Sequence, residues 1–243
     1  MKVLRKVEKL KKTILNASLQ SAVKLNIPVD VSLKLLNISS PLMIIKVPIE
    51  CIDRFIPNQI LNSIFHPMEV RKPNVPGFVW NGDWDLHALK INEQYQEYSL
   101  AYRSVFQLFK EGRHYKNCDE YKMKADLIKR NVSTARGNTL GELDQYFEGL
   151  LSLKKMIEKN GYQSQKELNR KKTGDEIGVF IDRYGNLLKA EDNFSGTHRF
   201  GIAKVLNLHE VYVNIVAVHQ KWAKTHMRQL IIESSSLAEY FKS

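Results

Sequence analysis

The chain has 243 residues, of which 43% are hydrophobic and 26% are charged. This balance is typical of a globular protein with a buried core and excludes a disordered chain. Lys and Arg number 37 against 26 Asp and Glu, and the formal net charge of +11 favours anionic partners such as nucleic acid, nucleotide phosphates or an acidic membrane surface. Two cysteines cannot build a disulfide framework, and no apolar run is long enough to span a bilayer. We therefore expect a cytoplasmic protein.

The N-terminal segment is strongly basic. Its first twelve residues carry six Lys or Arg and one Glu, a local charge of +5. Val3, Val7, Leu10 and Ile14 recur at helical spacing, so residues 1–38 are predicted to form a basic, amphipathic helical extension. Three roles are open for it: a helix packed on its own domain with a solvated basic face, a contact with a partner or nucleic acid, or binding to a membrane surface.

The middle of the chain is predicted to hold a strand, a long loop and two helices. Residues 43–48 form a short apolar run typical of a buried strand, and 49–57 is predicted to be a turn punctuated by proline. Several prolines and glycines in 58–85 predict an irregular loop. Apolar residues at helical spacing then predict helices over about 85–115 and 119–131.

The second half of the chain carries the clearest local signals. Thr139 and Glu142 fit a capping box at the start of a helix that runs to Asn160, and Gly161 supplies a left-handed stop. The elements predicted next are the two strands of a hairpin, a helix, a closing strand and a C-terminal helix, over 177–181, 187–190, 198–207, 210–218 and 219–243. We therefore expect a mixed α/β fold.

A candidate anion site lies between a predicted strand and a predicted helix, at Ser195, Gly196, Thr197, His198 and Arg199. Glycine lets the backbone approach a ligand closely, and the first N–H groups of a helix, together with its dipole, attract anions. Arg199 adds a guanidinium suited to phosphate oxygens. The alternative is a turn that Ser195 or Thr197 caps, with Arg199 on the surface. The spacing alone leaves both interpretations open.

The order of these elements, together with the Gly-Thr-His-Arg run at 196–199, resembles the ParB/sulfiredoxin superfamily, which has a Gly-x-His/Arg-Arg signature at the start of a helix. The resemblance covers about 41–57 and 139–218. It implies one domain over 39–218 with a small mixed sheet, and a helical insertion at about 86–135. It also implies that the chain lacks the helix-turn-helix domain of ParB itself.

The resemblance implies nucleotide binding, because family members bind CTP, ATP or another phosphoryl donor at this motif. Carried over to this chain, Ser195, Gly196, Thr197, His198 and Arg199 would hold the phosphates. The implied activity is that of an ATP-dependent kinase, with phosphoryl transfer to a small hydroxylated metabolite and with Mg²⁺. Its catalytic candidates are Glu191, Asp192 and His198. Nucleotide binding without catalysis fits the same motif.

Two related functions are excluded or disfavoured. Thr197 stands where sulfiredoxin has its catalytic cysteine, and threonine cannot form the sulfur intermediates of that reaction. The 25 residues after Val218 are too few for a recognition domain and a dimerisation module, which argues against chromosome partitioning. The alternative function is that of a nucleic-acid-binding or nuclease-type protein. The charge and the basic first helix favour it, whereas the lack of a helix-turn-helix, zinc-finger or RNA-binding motif opposes it.

A weaker candidate site consists of Asp83, Trp84 and Asp85, two carboxylates around an indole that suit a substrate or a metal. For Asp85 a helix N-cap is the favoured alternative. The histidines show no pairwise metal-ligand spacing, and His219 and His226 are expected on an exposed helix face. The two cysteines are expected to be small buried hydrophobes.

Overall fold

A computed structural model describes residues 44–64, 78–80, 82–92, 94–170, 176–191, 196–223, 226 and 241. It contains a mixed sheet and helices, so the α/β class predicted from the sequence is confirmed. The basic extension over 1–38, most of the C-terminal helix, Asp192 and Ser195 lie outside the described residues. Within these ranges, none of the helices combines the length and hydrophobicity that a membrane span requires.

The described strands form one mixed sheet. Their bounds are β1 Ile44–Pro48, β2 Arg54–Ile56, β3 Phe78–Trp80, β4 Leu89–Lys90, β5 Ile177–Ile181, β6 Leu187–Ala190 and β7 Glu210–His219. The strand order is β1-β7-β5-β6-β2-β4. On one side, β7 pairs antiparallel with β1 and then parallel with β3, and on its other side it pairs parallel with β5. The predicted hairpin is confirmed, because β5 and β6 pair antiparallel.

The α-helices of the described part are α1 Asn58–Ile64, α2 Tyr95–Tyr98, α3 Leu100–Phe109, α4 Asp119–Lys129, α5 Leu140–Asn160, α6 Thr197–Val205 and α7 Gln220–Trp222. The capping box predicted for α5 is confirmed: the Thr139 hydroxyl accepts the N–H of Glu142, and the Glu142 carboxylate accepts the N–H of Thr139. Gly161 follows the helix with a φ of +74°, which favours glycine, but its ψ of 179° lies outside the left-handed helical region that the predicted stop requires.

Helix α6 covers one face of the sheet. Its Phe200 and Ala203 pack in the same buried cluster as Val179 of β5, whereas the next residue of β5, Phe180, belongs to the cluster on the opposite face. This alternation is the expected one for a strand that is buried on both sides. The same alternation applies to β6. Leu187 packs on the face that α6 covers, so Lys189, two residues later, lies on that face as well.

The segment predicted to be a turn and an irregular loop, 49–85, contains regular structure. It holds a 3-10 turn at Ile49–Cys51, then β2, α1 and β3, and a second 3-10 turn that begins at Trp84. Strand β2 has only three residues and forms because β6 and β4 flank it, which are contacts with distant parts of the chain. The proline-rich composition therefore predicts a loop, although pairing with distant strands stabilises short regular elements there.

The continuous helix predicted over 85–115 is also wrong. The structure divides it into a 3-10 turn, β4, α2 and α3. Ser99 separates the two helices: its backbone is extended, and its hydroxyl accepts the N–H of Tyr102 at the start of α3. The predicted insertion contributes to the main core, because Val105 of α3 lies against Gly201 of α6, where an added Cβ would come within 3.1 Å of the Val105 Cβ. The domain boundaries themselves stay a prediction.

Candidate functional site

Gly196 sets the position of the first turn of α6. Its φ is +90°, and an added Cβ would lie 2.5 Å from the Ile177 Cα and 2.8 Å from the Glu176 carbonyl oxygen. Only glycine permits this backbone conformation without strain and this close approach without a clash. The close approach predicted toward a ligand is therefore made toward the protein's own strand β5, and it seats the N-terminus of α6 against the sheet.

A buried lysine lies beside this turn. Lys189 is fully buried in β6, and its Nζ lies 2.6 Å from the Ala190 carbonyl oxygen and 3.4 Å from the Thr197 hydroxyl oxygen. A third contact joins Nζ to the Glu191 carbonyl oxygen at 3.4 Å. A helix N-terminus carries roughly half a positive charge, so a charged Lys189 would add to the positive potential that the first turn of α6 provides. The arrangement brings together the two kinds of positive group that favour a bound anion.

Glu191 connects the end of β6 to α6 and α1. Its backbone oxygen accepts a hydrogen bond from the Thr197 hydroxyl at 3.0 Å, and its carboxylate accepts the N–H of Asn58 at 2.8 Å. A carboxylate at the start of a helix interacts favourably with the helix dipole, so the Glu191 carboxylate stabilises the N-terminus of α1. The structure thus places the main-chain oxygen of Glu191 next to Thr197, and one oxygen of its carboxylate binds the first N–H of α1.

His198, a predicted catalytic residue, lies in a buried network that the sequence analysis missed. Its Nε2 is 2.7 Å from Oε2 of Glu120, and its Nδ1 is 3.1 Å from the hydroxyl oxygen of Tyr146. Arg136 donates from Nε to the other oxygen of Glu120 at 3.2 Å. Burial disfavours the ionised form of Glu120, but His198 and Arg136 outweigh that effect and lower its pKa to about 2. Glu120 is therefore a carboxylate at neutral pH.

Arg199, the predicted phosphate ligand, contacts a carboxylate of the protein. Its Nη1 lies 3.3 Å from Oε2 of Glu176, which is fully buried next to β5. Glu176 also accepts the Tyr162 hydroxyl at 3.4 Å and the backbone N–H of Gln165. Burial raises the pKa of Tyr162, which keeps that phenol protonated. The guanidinium thus helps to neutralise a buried carboxylate, and any phosphate would share it with Glu176.

The weaker candidate, Asp83 with Asp85, forms an ion-pair cluster with Arg183. The Nη2 of Arg183 lies 2.7 Å from Oδ1 of each aspartate. The helix cap predicted for Asp85 is wrong: Asp83 stands at the N-cap position of the 3-10 turn without a capping hydrogen bond, and Asp85 lies inside that turn, buried. Both carboxylates are therefore engaged with a cation of the protein.

Trp84 and His219 are core residues. Trp84 is fully buried, and its ring lies 5.7 Å from those of Phe180 and His219. His219 is also fully buried at the end of β7, so the prediction of an exposed helix face is wrong for it. Its Nδ1 accepts the N–H of Lys221, which leaves Nε2 to donate to the Gly82 carbonyl at 2.9 Å. This fixed tautomer is that of a structural histidine.

No protein-family model matches the chain, and no curated protein or solved structure matches it either. The resemblance to the ParB/sulfiredoxin superfamily therefore stays a prediction from residues 196–199 and the order of the elements. A functional assignment has to come from the geometry of the site.

Proposed function

We propose that the chain binds a nucleoside triphosphate, ATP in the first instance, with its phosphates at the first turn of α6, and transfers a phosphoryl group to a small hydroxylated metabolite. The observation that carries this proposal is the fully buried amino group of Lys189, whose Nζ lies 3.4 Å from the Thr197 hydroxyl oxygen at the N-terminus of α6. Cations are normally favoured near the C-terminal end of a helix, because its N-terminus is positive. A phosphate bound here would be stabilised by the ammonium and by the helix together.

The neighbouring groups supply what phosphoryl transfer needs: positioning, neutralisation of charge, and an acid or base. Lys189 and the N–H groups of α6 would neutralise phosphate charge, and Thr197 offers a hydroxyl at the same turn. His198 is the candidate base, since Glu120 orients it. Arg199 lies in the same turn and is half-buried, and a phosphate would share its guanidinium with Glu176.

Glu191 fits a Mg²⁺ ion that accompanies a nucleotide. Protein sites commonly hold Mg²⁺ through one or two carboxylates and leave the remaining ligands to water and substrate phosphates. The main-chain oxygen of Glu191 contacts Thr197 at the proposed phosphate position, and the Glu191 carboxylate accepts the N–H of Asn58 through Oε2. The described residues contain no group of three or more His, Cys, Asp or Glu that could hold a metal by itself. We therefore propose a metal that binds together with the nucleotide.

Calorimetric titration with the magnesium complexes of ATP, CTP and GTP tests this proposal. We expect one nucleotide to bind, about tenfold more weakly to Lys189→Met and several-fold more weakly to Thr197→Val, because each variant removes one polar group at the turn where we propose that the phosphates bind. Thr139→Val is the matched control, since it removes a hydroxyl from the first turn of a different helix, α5. It should lower stability and leave nucleotide affinity unchanged.

Two results would decide against the proposal. Equal affinity of the wild type and Lys189→Met would show that the nucleotide binds elsewhere. Binding to DNA alone, weakening with salt and lost on deletion of residues 1–12, would support the nucleic-acid alternative, which depends on the net charge of +11 and on that basic segment.

A further inference from the structure

Tyr146, His198 and Glu120 form one hydrogen-bonded series across three helices. Tyr146 belongs to α5, His198 to α6 and Glu120 to α4. The two links measure 3.1 Å, from the phenol oxygen to Nδ1, and 2.7 Å, from Nε2 to Oε2. A hydroxyl, an imidazole and a carboxylate in this order are the arrangement of enzymes in which a base activates a nucleophile and an acid orients the base.

The carboxylate decides which imidazole nitrogen carries the proton. An ionised carboxylate only accepts hydrogen bonds, so the Nε2 of His198 donates to Glu120. In the neutral ring Nδ1 is then the acceptor, and the Tyr146 hydroxyl donates to it. In this neutral tautomer the phenol proton points at a nitrogen that can take it.

A guanidinium lies over the phenol ring. The Cζ of Arg136 is 4.9 Å from the centroid of the Tyr146 ring, and its Nε donates to Glu120. A nearby positive charge favours the ionised form of a phenol. Tyr146 is half-buried and the Arg136 side chain is 29% exposed, whereas Glu120 and His198 are buried. The series therefore reaches the surface at its tyrosine end.

We propose that Tyr146 is a nucleophile that accepts the phosphoryl group before the metabolite does. The Tyr146 oxygen bonds to the terminal phosphorus, and the bond from that phosphorus to the bridging oxygen breaks, with its electron pair leaving on the nucleoside diphosphate. The phenol proton moves to Nδ1 of His198, and Glu120 acts as a positioning residue that stabilises the imidazolium. The metabolite hydroxyl oxygen then bonds to the phosphorus, and the bond from phosphorus to the Tyr146 oxygen breaks with its electron pair on that oxygen. Nδ1 of His198 returns its proton to the Tyr146 oxygen, and the hydroxyl proton of the metabolite passes to solvent.

The position of His198 links this series to the proposed nucleotide site. His198 is the second residue of α6 and follows Thr197, so the Tyr146 hydroxyl lies beside the turn at which we propose the phosphates bind. The inference rests on the proposed function for its phosphoryl donor. The nucleophilicity of Tyr146 does not depend on the proposed function, and it is measured separately.

Labelling of the full chain with an arylsulfonyl fluoride, located by peptide mass spectrometry, measures that nucleophilicity. Tyr184 is 72% exposed and serves as the internal reference for an unactivated phenol. We expect Tyr146 to react about 100-fold faster than Tyr184, the order of effect a positioned base provides. Its rate should reach a plateau at a lower pH than the rate of Tyr184, because a base of the protein takes the phenol proton.

Two variants separate activation from a purely structural tie between the helices. Among the residues that the structure describes, the charged groups in contact with the Tyr146–His198 pair include Glu120 from α4 and Arg136 from the segment before α5. His198→Asn should reduce labelling of Tyr146 to the rate of Tyr184. Glu120→Gln should also slow the labelling of Tyr146, because the imidazole loses the carboxylate that orients it. A thermal melting curve of each variant checks that it folds. If both variants are unfolded, the pH dependence of Tyr146 labelling in the wild type decides whether the phenol is activated.

Incubation with the magnesium nucleotide, and separately with acetyl phosphate, tests transfer. A single phosphoryl group on Tyr146, absent from Tyr146→Phe, supports the proposal. If Tyr146 is labelled no faster than Tyr184, the proposal that Tyr146 is a nucleophile is overturned, whether or not a nucleotide binds. Fast labelling with bound nucleotide but no phosphotyrosine from either donor also overturns it. Phosphotyrosine from acetyl phosphate without nucleotide binding supports the nucleophile and rejects the proposed nucleotide function.

Discussion

The guanidinium of Arg183 contacts both carboxylate oxygens of Asp85, from Nη2 to Oδ1 at 2.7 Å and from Nε to Oδ2 at 2.9 Å. The backbone N–H of Arg183 donates to the same carboxylate at 2.9 Å. Burial disfavours ionisation of Asp85, but these bonds outweigh it and hold the pKa of the carboxyl below its usual range. The pair attaches the turn between β5 and β6 to the segment before β4.

We expect Asp85→Asn to lower the free energy of unfolding by about 3 to 5 kcal/mol, because Arg183 would keep its charge in a largely buried position without its main partner. Asp83→Asn is the matched control: the Asp83 side chain is 73% exposed and contacts the same guanidinium. Its removal should leave stability unchanged. Urea unfolding of both variants measures the difference, and equal effects would contradict this account.

Gly196 should be the least replaceable glycine near the site. Gly196→Ala would place a methyl group 2.5 Å from the Ile177 Cα at a φ of +90°, and backbone atoms cannot move away cheaply. We expect a loss of at least about 3 kcal/mol in the free energy of unfolding. In Gly149→Ala, by contrast, nothing lies within 4 Å of the added Cβ in α5. That variant should be more stable by roughly 0.5 to 1 kcal/mol.

The contribution of the Glu120–His198 pair to the stability of the fold should depend on pH. The folded-state pKa of Glu120 is lowered from 4.5 to about 2, so the carboxylate stabilises the fold above pH 4.5 and loses that contribution as the pH falls through about 2. The shift corresponds to at most about 3 kcal/mol. Urea midpoints measured across this range should fall more steeply in the wild type than in Glu120→Gln. Parallel curves would refute the pairing.

The elements that sequence reasoning predicted correctly depend on neighbouring residues. Thr139 and Glu142 cap α5 within four positions of each other, and Gly185, with a φ of +95°, sits in the tight turn between β5 and β6. Such signals are local and can be recognised without knowledge of the fold. The short strand β2 has no such signal, because pairing with β4 and β6 stabilises it.

The residues that complete the candidate site come from far apart in the chain. Glu120 and His198 are separated by 78 positions, and Asp85 and Arg183 by 98. No spacing rule relates such residues, so the sequence could suggest His198 but not its partners. Lys189 carried a detectable signal: it is a lone charge in a strand whose other residues are apolar and buried. A charge in that position already indicates a specific partner.

The two cysteines should differ in reactivity. Cys118 is fully buried, as the sequence predicted, and burial raises the pKa of its thiol to about 11. The prediction is wrong for Cys51, which is only half-buried; burial together with Glu50 and Asp53 also raises its thiol pKa. Because the thiolate is the reactive form, both should be slow toward an aromatic disulfide reagent at neutral pH, with Cys51 reacting first.

Reaction of Cys118 should occur only as fast as the protein opens, so its rate should rise with urea while that of Cys51 changes little. Cys51→Ala and Cys118→Ala assign the two phases by removing one each. Rapid modification of Cys118 in the native protein would show that the cluster it shares with Tyr121 and Phe147, between α4 and α5, is not closed. That cluster supports the helices that carry Glu120 and Tyr146, so the thiol reports on their packing.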